Sequence, residues 1–139
     1  ASQVKANDRG FLSKDVLVSD LISLRGDIHH LFPKDYLKKN GLDRGKYNQI
    51  ANYVYMQSEI NIKVGNKPPK DYFELIKTQM NSNNRLVSGL STEHELLGNL
   101  KMNCVPIEII EMNIEDYNDF LILRRKLMAL KIKEYYFAL

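Results

Sequence analysis

A glycine and a proline frame the stretch that most constrains the fold, residues 26–33. Gly26 interrupts the apolar pattern before it and Pro33 ends the stretch, so residues 27–31 are predicted to form a short β-strand. That strand carries two adjacent histidines, in a chain with three histidines in all. Residues 52–56 are rich in aromatic and β-branched side chains and predict a second strand.

Most of the remaining chain carries helical signals. A helix is predicted from Ser58 to the Gly65-Asn66 pair, which favours a helix end. Another helix follows the two prolines at 68 and 69, because proline is tolerated in a first turn. The last predicted helix covers residues 113–137, roughly 36 Å of helix. Its apolar side is broad, which favours packing into a domain over a two-stranded coiled coil.

These patterns predict one domain with a short N-terminal extension, as the length of 139 residues allows. Residues 1–25 are predicted to be a lead-in, polar and loose over its first ten residues. Residues 26–139 are predicted to be the domain, in which residues 26–66 form the strand-and-helix core and residues 67–139 a helical remainder.

The composition, 44% apolar and 27% charged, is that of an ordinary soluble globular protein. No run of eighteen apolar residues is present, so no membrane-spanning helix is expected. The single cysteine, Cys104, excludes an internal disulfide and, with no apolar signal segment at the N-terminus, favours a reducing cytoplasm. The first residue is Ala1 rather than Met, which favours a piece processed or excised from a longer protein.

Positive charge is concentrated in the first half of the chain. Residues 1–70 carry 12 Lys and Arg against 7 Asp and Glu, whereas residues 71–139 carry 8 against 10. The basic half is the half that contains the histidine pair. This asymmetry favours a polyanionic partner near the histidines.

The histidine stretch and Asn61 together form a candidate metal site. Alternate residues of a strand point to opposite faces, so Asp27 and His29 share one side and His30 lies on the other unless the strand ends or twists between them. A site that uses both histidines needs such an irregularity, and the nearby Pro33 favours one. Asn61, on the predicted helix, can offer a carbonyl oxygen. Imidazole, carboxamide and water ligands form a sparse site suited to Mg²⁺ or Mn²⁺. A neutral histidine beside such an ion can activate water.

The same residues resemble the HNH nucleases of the ββα-metal kind. The resemblance rests on Asp27-Ile-His29-His30-Leu-Phe-Pro33, Asn52-Tyr-Val-Tyr, Asn61 nine residues later, and Asn66-Lys67-Pro68. It is strongest to the HNH-type domain at the C-terminus of GmrSD-like modification-dependent restriction and defence proteins, and it is similar in layout to the HNH domain of RNA-guided CRISPR nucleases. Residues 117–127 and 132–136 look like the family's C-terminal helix, so the resemblance covers about residues 26–137.

The resemblance implies a fold and a role for each motif residue. The fold would be α+β and mostly helical, with a ββα-metal core of a short two-stranded antiparallel hairpin plus helix, surrounded by further helices. His30 would be the general base, and His29 a metal ligand where many relatives have Asp. Asn61 would be the second ligand, Asn52 would tie the loop between the strands, and Asp27 could supply the charge that the His29 exchange removes.

The function implied is that of a metal-dependent endonuclease domain that hydrolyses DNA, the cleavage part of a larger bacterial restriction or defence protein. Lys34 and Lys67 are expected to contact the phosphates. Two alternatives stay open: a nucleic-acid-binding module that has lost turnover, which the His29 exchange favours, and a nuclease acting on RNA. Other domains of the parent protein would then be partners, and the divalent ion would be Mg²⁺ or Mn²⁺.

Overall fold

A computed structural model describes residues 1–23, 27–82 and 84–139. The predicted break at Gly26 therefore lies outside the described residues. The two strands are β1 (Ile28–His30) and β2 (Tyr53–Tyr55). The α-helices are α1 (Ser2–Lys5), α2 (Val18–Ser23), α3 (Lys34–Lys39), α4 (Arg44–Tyr47), α5 (Ser58–Val64), α6 (Pro69–Met80), α7 (Glu93–Met102) and α8 (Tyr117–Phe137), with 3-10 turns at Ile50–Asn52, Ile107–Glu111 and Ile114–Asp116. The α+β, mostly helical fold class is confirmed.

The two strands pair with each other in a two-stranded antiparallel sheet. Its register places Ile28 opposite Tyr55, His29 opposite Val54 and His30 opposite Tyr53. The connection between them, residues 31–52, is long and contains α3, α4 and a 3-10 turn. Helix α5 follows soon after β2, so the predicted order of strand, long loop, strand and helix is confirmed.

Helix α5 has a simple local basis. Ile60 and Val64 are four residues apart and both are buried, so one side of this short helix packs into the core. The N–H of Gly65 donates to the carbonyl of Asn61 at 2.9 Å and ends the helix. Gly65 adopts a φ of 58°, a region that favours glycine, which explains why the helix ends where the sequence predicts.

The core holds the end of β1 in place through Phe32. The Phe32 ring is fully buried, with its centroid 4.9 Å from that of Phe120 and 5.1 Å from that of Tyr117 on α8. Tyr72 and Phe73 of α6 are also fully buried in this core. The histidine strand is therefore followed directly by an aromatic anchor.

Part of the predicted lead-in, residues 11 and 12, belongs to the core of the domain. Phe11 and Leu12 are fully buried in the same core as the rest of the chain. The buried side chain of Asn99 accepts from the N–H of Leu12 at 2.7 Å and donates to the carbonyls of Gly10 and Ser13. Burial of these two apolar side chains stabilises the fold, because it removes their surface from water. The hydrogen bonds of Asn99 join this segment to α7.

Helix α8 also differs in part from its prediction. Its first half packs into the domain as expected, with Tyr117, Phe120, Leu121 and Arg124 buried. Its second half does not, because Leu130, Ile132 and Phe137 are 56%, 58% and 75% exposed. The broad apolar side of the sequence therefore covers the core over about half the helix.

Candidate active site

His29 and His30 lie on opposite faces of β1 and have different surroundings. The register places His29 beside Val54, which is buried, and His30 beside Tyr53. Residues paired across an antiparallel sheet project to the same face, so His29 faces the interior side of the hairpin. The strand alternation is therefore regular over Ile28–His30, and the irregularity that a site using both histidines was expected to need is not found in β1. The two adjacent rings project to opposite faces and do not share one environment.

The His29 side chain has an unsatisfied nitrogen. Its Nε2 is buried and has no hydrogen-bond partner among the described residues. Burial lowers the pKa of His29 below its ordinary value, the charge of Asp27 raises the pKa in part, and a charge on His30 lowers it further. A lowered pKa favours the neutral imidazole, and only the neutral ring has a lone pair for a metal. An orphaned buried nitrogen on a neutral ring fits a metal ligand.

Asp27 connects the histidine strand to the helix of Asn61. Its Oδ1 accepts a hydrogen bond from Ser58 Oγ at 3.0 Å, and Ser58 is the first residue of α5. The Asp27 carboxylate therefore has two effects. Its charge raises the pKa of His29 in part, and its Oδ1 accepts a hydrogen bond from the first residue of α5.

Asn61 lies one turn into α5, half-buried, and its carboxamide forms no hydrogen bond to any other described residue. The side-chain oxygen of such a residue is free to serve as a ligand. Within residues 1–23, 27–82 and 84–139, no group of three or more His, Cys, Asp and Glu side chains is arranged to hold a metal. Among the predicted ligands, the His29 Nε2 and the Asn61 carboxamide are the groups without a hydrogen-bond partner in the described residues, and Asp27 is the negative charge beside His29.

His30 is partly exposed and has polar and aromatic neighbours. Its Nε2 lies 3.0 Å from Asn48 Oδ1. The ring makes edge-on contacts with Tyr53, at a centroid distance of 5.0 Å, and with Tyr47, at 6.4 Å. This imidazole is therefore held in place while remaining open to solvent on part of its surface, as a general base requires.

Asn52 joins the two ends of the inter-strand loop. The side chain is fully buried, accepts from the N–H of Phe32 at 2.8 Å and donates to the Phe32 carbonyl at 3.0 Å. The same carboxamide donates to the carbonyl of Tyr47 at 3.3 Å. The Asn52 backbone carbonyl also accepts from the N–H of Leu31 at 2.8 Å. The residue after the histidine strand is thus fastened to the residue before β2.

Arg124 of α8 supports the start of β2 through hydrogen bonds to backbone carbonyls. The sequence predicted no role for it at the site. The buried guanidinium donates to the carbonyls of Ala51 and Tyr53 through Nη1 and to that of Asn103 through Nη2. Burial lowers the pKa of Arg124 to about 10. The sequence did contain a signal for this role. Arg124 lies four residues after Phe120, on the predicted apolar side of the helix, and a buried charge needs hydrogen-bond acceptors.

Lys34 and Lys67 are both exposed. Lys34 Nζ is 5.7 Å from the ring centroid of Tyr47, the same tyrosine that contacts His30. Lys67 Nζ approaches the carbonyl of Lys63, in the last turn of α5, at 3.5 Å. Lys34 is therefore associated with the His30 face, and Lys67 with the end of the Asn61 helix.

A large groove lies elsewhere on the protein, between α1, α7 and the second half of α8. Its volume is about 1160 Å³ and it is lined mainly by aliphatic side chains. None of the residues predicted for the site line it. The candidate site is therefore set on the hairpin and its loop, away from this groove.

Comparison with known proteins gives a partial relationship. The chain is 28% identical over 116 residues to the uncharacterized protein MJ0686 of Methanocaldococcus jannaschii. The match covers 76% of this chain and 20% of that protein, so the chain spans about a fifth of the relative's length. No family model matches the chain, and no solved structure matches it. No helix among the described residues is long and apolar enough to cross a membrane.

Proposed function

We propose that this protein is a metal-dependent endonuclease domain that hydrolyses DNA phosphodiester bonds. The observation that carries the proposal is the orphaned Nε2 of His29, buried in a hairpin whose next strand leads into the helix of Asn61. A buried polar atom without a partner is uncommon in folded proteins, and a missing ligand explains it. The basic first half of the chain supports a polyanionic substrate.

His29 and Asn61 would hold the cation, and Asp27 would contribute negative charge through water. A bound Mg²⁺ or Mn²⁺ would supply a Lewis acid that stabilises negative charge on the phosphate and on the departing 3′ oxygen. His29 contributes by staying neutral, because burial lowers its pKa. Asn61 contributes a neutral carbonyl oxygen, so the protein itself offers little negative charge to the ion.

His30 would act as the general base. Its neutral imidazole accepts a proton from a water whose oxygen attacks phosphorus, while the bond from phosphorus to the 3′ oxygen breaks and solvent protonates the leaving oxygen. The proton on His30 then returns to solvent through the exposed part of the ring. Lys34, on the same face, would contact a neighbouring phosphate, and Lys67 would contact the strand near α5.

The domain would work as the cleavage part of a larger cytoplasmic restriction or defence protein. The relative from M. jannaschii is about five times as long as the matched segment, which supports a modular arrangement. Recognition of a DNA sequence or base modification would belong to other domains. The first half of α8, through Arg124, would help to hold the loop that carries the cleavage site.

The experiment is cleavage of supercoiled plasmid by the wild type, His30→Ala and the matched control His94→Ala, whose histidine is exposed at the start of α7. Each is assayed with Mg²⁺, with Mn²⁺ and with EDTA, and against single-stranded RNA. Nicking of DNA by the wild type and His94→Ala, only with metal, is expected. Equal cutting by His30→Ala would contradict the proposal. DNA binding without cleavage under every condition would favour a binding module, and preferential cutting of RNA would reassign the substrate.

A further inference from the structure

The ring of His30 contacts the carboxamide of Asn48, which no sequence signal pointed out. Nε2 of His30 lies 3.0 Å from Oδ1 of Asn48. With the carboxamide in this orientation its oxygen accepts, and the hydrogen bond then places a hydrogen on Nε2. A neutral His30 then has its lone pair on Nδ1, the other ring nitrogen.

We propose that Asn48 is a positioning residue for His30. Its oxygen fixes the hydrogen on Nε2 and thereby leaves Nδ1 as the basic nitrogen that faces the reaction. The effect on catalysis rests on the proposed nuclease function, whereas the contact between Asn48 and the His30 ring does not depend on that function. Asn48 would act through His30 and would not itself contact the scissile phosphate.

The aromatic neighbours of His30 do not by themselves determine which ring nitrogen carries the hydrogen. Tyr53 and Tyr47 approach the ring edge-on, with interplanar angles of 81° and 66°. The torsion that turns an imidazole about its Cβ–Cγ bond is broad and roughly two-fold, so two ring orientations have similar shape. A hydrogen bond to one nitrogen removes that ambiguity. The Asn48 contact is the one that distinguishes them among the described residues.

Asn48 is held by the fold on both sides. Its own N–H donates to the Arg44 carbonyl at 3.1 Å, across the end of α4. Just before it, the Tyr117 hydroxyl of α8 donates to the Lys46 carbonyl at 2.7 Å. Just after it, Arg125 of α8 donates to Gln49 Oε1 at 3.0 Å. These contacts hold the backbone around position 48 without help from His30, whereas the Asn48 side chain itself is exposed and meets His30 at the surface.

The test compares Asn48→Ala and Asn48→Asp with the matched control Asn118→Ala, an exposed asparagine near the start of α8. Asn48→Ala should lower the cleavage rate at saturating DNA by about tenfold to a hundredfold, as misplacement of a reacting group does. Its affinity for DNA should be unchanged. Asn48→Asp keeps the accepting oxygen and should recover most of the rate, whereas Asn118→Ala should behave as the wild type.

A measurement without substrate separates this proposal from the nuclease proposal. With ¹⁵N-labelled histidine at about pH 8, where an ordinary histidine is neutral, the wild type should show the His30 hydrogen on Nε2. In Asn48→Ala the ring signals of His30 should move toward those of exposed His94, and in Asn48→Asp they should stay. A hydrogen on Nδ1 in the wild type, or unchanged signals in Asn48→Ala, would overturn the positioning role. The expected spectra from a protein that cuts no DNA would support the positioning and refute the nuclease.

Discussion

His29 and His30 are neighbours in sequence and the same residue type, but the fold gives them different chemistry. His29 projects to the interior side of the hairpin, has a buried Nε2 without a partner and has a lowered pKa. His30 projects to the other side, with Asn48 and two tyrosine rings around it. The difference arises from strand alternation and from what each face contacts, and it is the basis for proposing different roles for the two rings.

The largest effect is expected from removing the partly exposed ring. His30→Ala should lower the rate of DNA cleavage by about 10²- to 10⁴-fold, the usual contribution of a general base. The free energy of unfolding should hardly change, because the ring lies at the surface and is not part of the core. Cleavage rates and urea unfolding of the same preparation measure both quantities. A large loss of stability would mean that His30 is a structural residue.

A second large effect is expected at Arg124, which donates a hydrogen bond to the backbone carbonyl of Tyr53 in β2. Arg124→Ala removes three hydrogen bonds from a buried charged group and should lower the free energy of unfolding by about 3 kcal/mol or more. Urea denaturation measures the loss. Arg125→Ala, at the exposed neighbouring position, is the matched control and should cost less than about 1 kcal/mol. Similar costs for the two variants would contradict the supporting role of Arg124.

A smaller effect is expected from exchanging the half-buried His29 ring for a carboxylate. His29→Asp adds a negative charge beside the proposed cation. At about 1 kcal/mol per pair of unit charges at 4 Å in water, the two charges of Mg²⁺ give about 2 kcal/mol, so binding should tighten by about thirtyfold. Isothermal titration with Mg²⁺ measures it. His29→Asn, which adds no charge, is the control and should show no tightening. An unchanged affinity in His29→Asp would place the cation elsewhere.

The smallest effect is a pH dependence of stability without metal. Because the pKa of His29 is lowered by folding, the unfolded chain binds more protons than the folded one below about pH 6.5. Stability should therefore fall as the pH falls through that value and continue to fall until the folded His29 is protonated. Thermal unfolding in EDTA between pH 7.5 and 5.5 should show a shallower slope for His29→Asn than for the wild type. Equal slopes for the wild type and His29→Asn would contradict this expectation.

The parts of the fold that local sequence signals specify were predicted correctly. Gly65 ends α5 where its positive φ requires glycine, and the alternation in β1 separates the two histidines as expected. Asn52 was predicted to tie the loop, and its three side-chain hydrogen bonds cross that loop. Each of these depends on a residue with a special backbone or a motif at a fixed spacing.

The parts that depend on contacts distant in sequence were not predicted. The burial of Phe11 and Leu12 depends on Asn99, nearly ninety residues away. The supporting role of Arg124 depends on carbonyls of Ala51 and Tyr53, more than seventy residues earlier. The contact of Asn48 with His30 needs the long loop to fold back on β1. Tertiary packing decides such contacts, and a local pattern does not contain them.

The most direct test of the division between the histidines measures plasmid nicking against Mn²⁺ concentration for the wild type, His29→Ala and His30→Ala. If His29 is a ligand, His29→Ala should lose activity at low Mn²⁺ and regain much of it at high Mn²⁺. If His30 is the base, His30→Ala should stay inactive at every Mn²⁺ concentration and regain activity only when imidazole is added. Recovery of His30→Ala by metal alone, or identical metal profiles for the two variants, would contradict the assignment.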